Sequence, residues 1–305
     1  MNKGMIMIRK QSRLGAPTDM ASTMRKQFSV GIALATLLVI TAAPCAWATT
    51  VAQWMFDEPS GDVFLDSSGS GFDLTATNPQ PPGSSWSRRS DVPLTTSPPG
   101  VTSLKGLDPR VIDTASSDRF SLGKTGAMTM EFWYKDTPDA SGVVDYVLST
   151  VAAVSDNNRI SVFLDGGDKI NFFFFDNAGG THSITTGAGS ITEGAGWQHI
   201  AATFDTNVGS GEAFVYIDGS PVASTTTFGT NFAAFDAPFR VFGNGSAENF
   251  NGKNLIDELR MSDVALLPGS GTGVGELAWN TSLVPEPGTA ILLGLGLVCL
   301  FRRRR

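Results

Sequence analysis

Apolar and polar residues alternate with period two over much of the middle of the chain, as in strands with one buried face. From Met128 to Lys135, Met128, Met130, Phe132 and Tyr134 fall on one side; Thr129, Glu131, Trp133 and Lys135 fall on the other. Gln198 to Phe204 repeats the pattern, with Ile200, Ala202 and Phe204 opposite His199, Ala201 and Thr203. Ala213 to Ile217 is a further strand ended by Asp218-Gly219, a pair that favours a two-residue type I′ hairpin and makes Val222 onward the return strand. Ile160 to Leu164 and Lys169 to Phe175 form a second hairpin across Asp165-Gly166-Gly167-Asp168. No helical period of useful length occurs between Thr49 and Trp279. The pattern predicts an all-β fold, either a two-sheet sandwich or a barrel.

Two predominantly apolar runs without a charged residue lie outside this region. Phe28 to Ile40 follows Met24-Arg25-Lys26 and leads to Ala46-Trp47-Ala48, which offers small residues where a signal peptidase reads. Residues 1–48 are therefore predicted as a signal peptide cleaved after Ala48, with Met24 as the true start. Near the other end, Thr289 to Phe301 would span roughly 20 Å as a helix, against a hydrocarbon core of about 30 Å. It is preceded by Pro285, Glu286 and Pro287 and followed by Arg302, Arg303, Arg304 and Arg305, which hold that end on the cytoplasmic side. This tail, residues 284–305, resembles the PEP-CTERM sorting signal of Gram-negative bacteria. The resemblance implies an exosortase-type processing enzyme as partner. It also implies a transient membrane helix, an inner-membrane intermediate, and delivery to the cell surface or extracellular matrix.

With both ends set aside, the composition reads differently. Cys45 and Cys299 fall in the end segments, so the central region has no disulfide, thiolate nucleophile or thiolate metal site. Between Thr49 and Leu283 stand 27 Asp and Glu against 12 Lys and Arg, a net charge of −15. Such a surface repels nucleic acid and suits an extracellular protein that meets cations or neutral sugars.

Several blocks then follow in a telling order: Trp54-Met55-Phe56-Asp57-Glu58, Asp66-Ser67-Ser68-Gly69-Ser70-Gly71, Met128 to Trp133, and Gly196-Trp197-Gln198-His199-Ile200-Ala201. Val215-Tyr216-Ile217-Asp218-Gly219, Phe250-Asn251-Gly252, Ile256-Asp257-Glu258-Leu259-Arg260 and Ala265-Leu266 complete them. Together they resemble the LamG-like jelly-roll family of the concanavalin A-like lectin/glucanase superfamily. The resemblance implies an antiparallel two-sheet jelly-roll sandwich over 49–267, with its first and last strands adjacent. It leaves Asn78 to Gly100 as a Pro-rich surface loop and 268–283 as a Gly-rich spacer.

Function is read from sites, because one fold hosts many activities. The superfamily's glucanases carry Glu-x-Asp-x-x-Glu along one strand; this chain has no such pattern, and Glu131 and Asp136 fall on opposite faces. His199 is expected to be structural and His182 to be exposed. The resemblance implies a structural Ca²⁺ joining Asp257 to Asp57 or Glu58 and to the turn containing Asp66, Gly69 and Gly71. The alternative is that Asp66 caps an Asx-turn and Asp257 bonds backbone. Trp133 lies opposite the apolar face of its strand, and two of the four residues Phe172 to Phe175 must face away from the core. Trp133, Phe173 and Phe175 are thus candidate ligand-binding aromatics, or else aromatics packed under a loop. The expectation is an exported, non-enzymatic protein that binds extracellular polysaccharide or serves a structural role. A protein-binding adhesin and, third, a glycoside hydrolase are the alternatives.

Overall fold

The computed structural model describes residues 50–76, 86–93, 102–106, 112–137, 144–150, 160–232, 234–243, 254–269 and 276–278. The predicted signal peptide, the 284–305 tail and the Phe250-Asn251-Gly252 block lie outside these residues. Among the described residues no helix is long and apolar enough to cross a membrane.

In chain order the strands are β1 (Thr50–Trp54), β2 (Val63–Phe64), β3 (Leu74–Ala76), β4 (Trp86–Arg89), β5 (Ser103–Gly106), β6 (Ile112–Asp113), β7 (Ala127–Lys135) and β8 (Asp145–Thr150). They continue with β9 (Ile160–Asp165), β10 (Lys169–Phe175), β11 (Thr181–Thr185), β12 (Gln198–Asp205), β13 (Glu212–Ile217), β14 (Ser220–Thr225), β15 (Phe239–Val241) and β16 (Leu255–Ser262). One helical turn, α1 (Leu122–Thr125), precedes β7. The first sheet runs β14-β13-β12-β7-β16-β5-β4, with β1 also on β16; the second runs β11-β10-β9-β8-β15-β6-β3-β2. The ladders are antiparallel, and β1 pairs with β16 as the jelly-roll reading requires.

The alternation seen in the sequence is the sorting of side chains between core and outer face. Met128, Met130, Phe132 and Tyr134 join Ile200, Ala202 and Phe204 in the core. The second sheet meets them with Phe172, Phe174 and Phe239; Trp54 stacks on Phe239 at 5.6 Å between ring centres, and Phe174 lies 4.5 Å from Phe204. Burying large aromatics of this kind contributes roughly 1.5–3 kcal/mol each. At the β13–β14 hairpin Asp218 and Gly219 have φ 48° and 72°, the two left-handed positions of a type I′ turn. The β9–β10 connection puts Asp168 at φ 54°, so an aspartate fills the left-handed position of a three-residue loop.

Three boundaries differ from expectation. The stretch 78–100 is not all loop: β4 lies in it and pairs with β5 beyond its end, and its Arg88 lies 4.7 Å over the Phe64 ring. β14 starts at Ser220, because the two-residue turn brings the chain straight back into register. The spacer region contains Leu277 and Ala278, both fully buried; Leu277 donates from its backbone to Leu267 O at 2.9 Å. Leu277, with Leu266 and Val264, covers Ala201 and Tyr216 on the outer face of the first sheet.

β16 is the organising strand. On one side it pairs with β7; on the other it pairs with β5 through Leu255 and Ile256, then with β1 through Leu259 to Ser262. The change of partner falls at a bulge over Asp257 and Glu258, where Glu258 has φ 47°.

Candidate binding site

The outward row of β7 reads Glu131, Trp133, Lys135, and its three members have different surroundings. At the strand's far end Trp133 and Lys135 line a cleft of about 400 Å³ together with Ser90, Asp91, Val92, Gly196 and Trp197. Ser90 to Val92 follow β4, and Gly196 and Trp197 lead into β12, so the walls come from β7, its neighbour β12, and β4 three places away across the sheet. Asp91 ties them together: it accepts from Lys135 Nζ at 2.6 Å and from Trp197 Nε1 at 3.0 Å. Partial burial pushes the Asp91 carboxyl up, but these two hydrogen bonds outweigh it and hold the group below the usual carboxylate range. Trp133 is only 3 % exposed, packed edge-on against His199 at 5.3 Å. Its Nε1 is buried and has no partner among the described residues. A buried donor left unpaired costs about 1–3 kcal/mol.

The next residue along the row is closed to ligands. Glu131 is wholly buried, accepts from Arg260 Nε at 2.5 Å and receives the Ala278 amide at 2.8 Å. Arg260 also donates to the Glu276 carbonyl at 2.6 Å. His199 stands 3.1 Å from Glu131, in ion-pair range but not aligned for a hydrogen bond. Burial alone would raise the Glu131 carboxyl; Arg260, His199 and the Ala278 amide prevail and keep it low. His199 is itself buried, 1 % exposed, between Glu131 and Trp133.

At the β16 bulge, Asp257 is fully buried. Its Oδ1 accepts the Glu258 amide at 2.9 Å, while Oδ2 has no partner among the described residues. Burial, then the nearby charges of Glu258 and Asp57, pushes the Asp257 carboxyl well above its ordinary value. Asp57 follows β1 and accepts the Thr102 amide at 3.0 Å, while Glu58 accepts the Leu65 amide at 2.6 Å. Asp66 does not fit an ion: its oxygens take the Gln53, Ser68 and Phe72 amides at 3.0, 2.9 and 3.0 Å. Gly69 and Gly71 sit in the same exposed turn, at φ 82° and 81°. Among the described residues no three acidic, histidine or cysteine side chains converge as a metal cluster. What fits a hard cation in its chemistry is the Asp257 oxygen, with Asp57 and Glu258 beside it.

Phe173 and Phe175 do face outward, half-buried and 5.1 Å apart, but on the second sheet. They and Trp133 stand on opposite outer faces and cannot line one site. His182 is not simply exposed: it lies in β11, 2.9 Å from Asp176, with its ring against Phe228 and Phe232. Three cleft residues that bear its chemistry, Lys135, Trp197 and Asp91, were not among the sequence candidates. Trp197 was visible as the large residue beside β12, whereas Asp91 has no local signal, because its partners are 44 and 106 residues away.

Two antiparallel sheets packed on an aromatic core define a lectin-like β-sandwich. The chain belongs to the concanavalin A-like lectin/glucanases superfamily, whose profile matches residues 112–270. Residues 283–305 match the PEP-CTERM protein-sorting motif, which marks export through the membrane to the cell surface. No curated protein matches the chain in sequence. Among solved structures it is similar to domain 4 of an extracellular arabinanase from Geobacillus stearothermophilus, in complex with arabinotriose, with 22% identity and TM-score 0.51 over 75% of this chain and 100% of that one. It is also similar to the botulinum neurotoxin serotype G binding domain, with 17% identity and TM-score 0.53 over 75% of this chain and 50% of that one. The binding domain of Paraclostridial Mosquitocidal Protein 1 gives 17% and 0.51 over 72% and 50%. The chain spans about half the length of the toxin domains it matches. At these identities the likeness shows the fold.

Proposed function

We propose that the sandwich is a non-enzymatic carbohydrate-binding domain, displayed at the cell surface or in a polysaccharide matrix after processing by an exosortase-type enzyme. One observation carries the reading: the indoles of Trp133 and Trp197 line one cleft together with a carboxylate–ammonium pair. Indoles offer apolar faces to sugar rings, and charged groups make strong hydrogen bonds to hydroxyls. The volume of about 400 Å³ falls within the usual range for ligand pockets, roughly 300–1,000 Å³. The arabinotriose held by one structural neighbour lends support in kind. Glu131, the nearest carboxylate along β7, is sealed by Arg260 and Ala278, which supports a binding rather than a hydrolytic role. The test is a glycan array with the full chain and its Trp197→Ala variant. Binding to a polysaccharide should weaken by about thirtyfold in the variant, the loss expected of a central aromatic worth about 2 kcal/mol. A chain that ignores every glycan and binds a surface protein instead would overturn the reading.

Calcium belongs to this proposal as a structural ion at the β16 bulge, with Asp257 as its side-chain ligand and the negative charges of Asp57 and Glu258 close by. A bound ion would offset that crowding of acids and lock the strand junction of β1, β5 and β16.

A further inference from the structure

Resting on the carbohydrate reading, we infer that the cleft selects a neutral sugar through two adjacent hydroxyls, and discriminates against uronic acids and other anionic sugars. The two charges in the cleft cancel: Lys135 Nζ lies 2.6 Å from Asp91 Oδ2. Among the described residues that line the cleft, no uncompensated cation is left to receive a carboxylate. An anionic sugar would have to break that pair or place its charge beside Asp91, within a region of net charge −15.

The donor and acceptor inventory points the same way. Lys135 has three N–H donors, and Asp91 engages one of them. Each Asp91 oxygen receives one N–H here, from Lys135 and from Trp197, and each has a second lone pair. A hydroxyl can accept from Lys135 and donate to Asp91 at once. Two neighbouring hydroxyls therefore match the pair, while an ionised carboxylate can only accept and leaves Asp91 repelled. Trp133 lines the same cleft and supplies apolar wall beside the pair. Trp197 is held by its bond to Asp91, so its indole face is positioned before the sugar arrives.

Calorimetry on the full chain separates the outcomes. The probes are neutral arabino-, gluco- and galacto-oligosaccharides and, at the same length, oligogalacturonates. At least one neutral series should bind, with oligogalacturonates about tenfold weaker or worse. Asp91→Asn and Lys135→Met should each weaken the neutral ligand by about tenfold or more, the loss of one charge-assisted hydrogen bond. Both side chains are partly exposed, at 45% and 25%, so unchanged melting curves are expected to confirm folding. Equal or tighter binding of oligogalacturonates, abolished by Lys135→Met, would overturn the neutral-sugar inference while leaving the carbohydrate reading intact. Binding of no sugar, or sugar binding untouched by Trp197→Ala, Asp91→Asn and Lys135→Met alike, would sink the cleft and this inference with it.

Discussion

Asp257 is the residue whose behaviour separates two chemical states of the molecule. Its folded carboxyl is pushed above the unfolded value of about 3.9, so the native state holds the proton more tightly than the unfolded chain. Its stabilising share is therefore complete below the unfolded pKa and is lost as pH rises through the folded one. Without added metal, Asp257→Asn removes that liability. The variant should melt higher than the parent at pH 8, by roughly 2–4 °C for each kcal/mol recovered, and nearly level with it at pH 4. With millimolar calcium the sign should reverse at pH 8, because the parent gains stability from an ion that the variant holds poorly. Thermal melts of both proteins at two pH values, with calcium and with chelator, decide this. A parent curve indifferent to calcium and chelator would reject the ion and leave Asp257 as a buried carboxyl held above its ordinary range by burial and its acidic neighbours.

At the scale of elements, the three residues 276–278 do what a spacer does not. Leu277 and Ala278 bury against the first sheet, and the Glu276 carbonyl and Ala278 amide complete the hydrogen bonding of Arg260 and Glu131. A chain ending at Pro268 should melt well below one ending at Asn280. Uncovering one buried leucine costs about 1.5–3 kcal/mol. Losing a hydrogen bond to a buried charge adds about 1.5–3 kcal/mol. The combined loss corresponds to a fall of roughly 6–24 °C, readable by circular dichroism; equal melting temperatures would mean that the strap only rests on the sheet. The strap also shows where reading the sequence stops. Long alternating strands such as β7, β10 and β12 were legible, because seven or more residues of period two leave few alternatives. β4 and the strap were not, being three or four residues long in Gly-, Pro- and Ser-rich surroundings. Their structure comes from partners that are distant in the chain. The same reason hid half of the cleft. Trp133 could be seen to face outward, but only the fold brings Asp91 to Lys135 and Trp197.

For the whole molecule, the strap fixes how far the sorting motif can stand from the sandwich. Ala278 is anchored on the first sheet, and Pro285 lies seven residues on. A fully extended chain spans at most about 3.3–3.6 Å per residue, so whatever path residues 279–284 take, the motif starts within about 25 Å of Ala278. A processing enzyme must draw an extended peptide into its own active site, and a folded domain this close leaves little chain to spare. Deleting Asn280 to Leu283 should therefore jam the sandwich against the enzyme and slow processing several-fold. Inserting eight Gly and Ser residues after Asn280 should leave the rate unchanged, since the tail then has slack beyond need. Pulse–chase labelling, following conversion of the precursor to the released form, reads both variants. If the deletion were processed at the parental rate, the spacing would be set by something other than the anchored strap. A deletion combined with removal of Leu277 and Ala278 distinguishes the two cases. It shortens the chain further but frees its root, and it should recover part of the lost rate if anchoring is the cause.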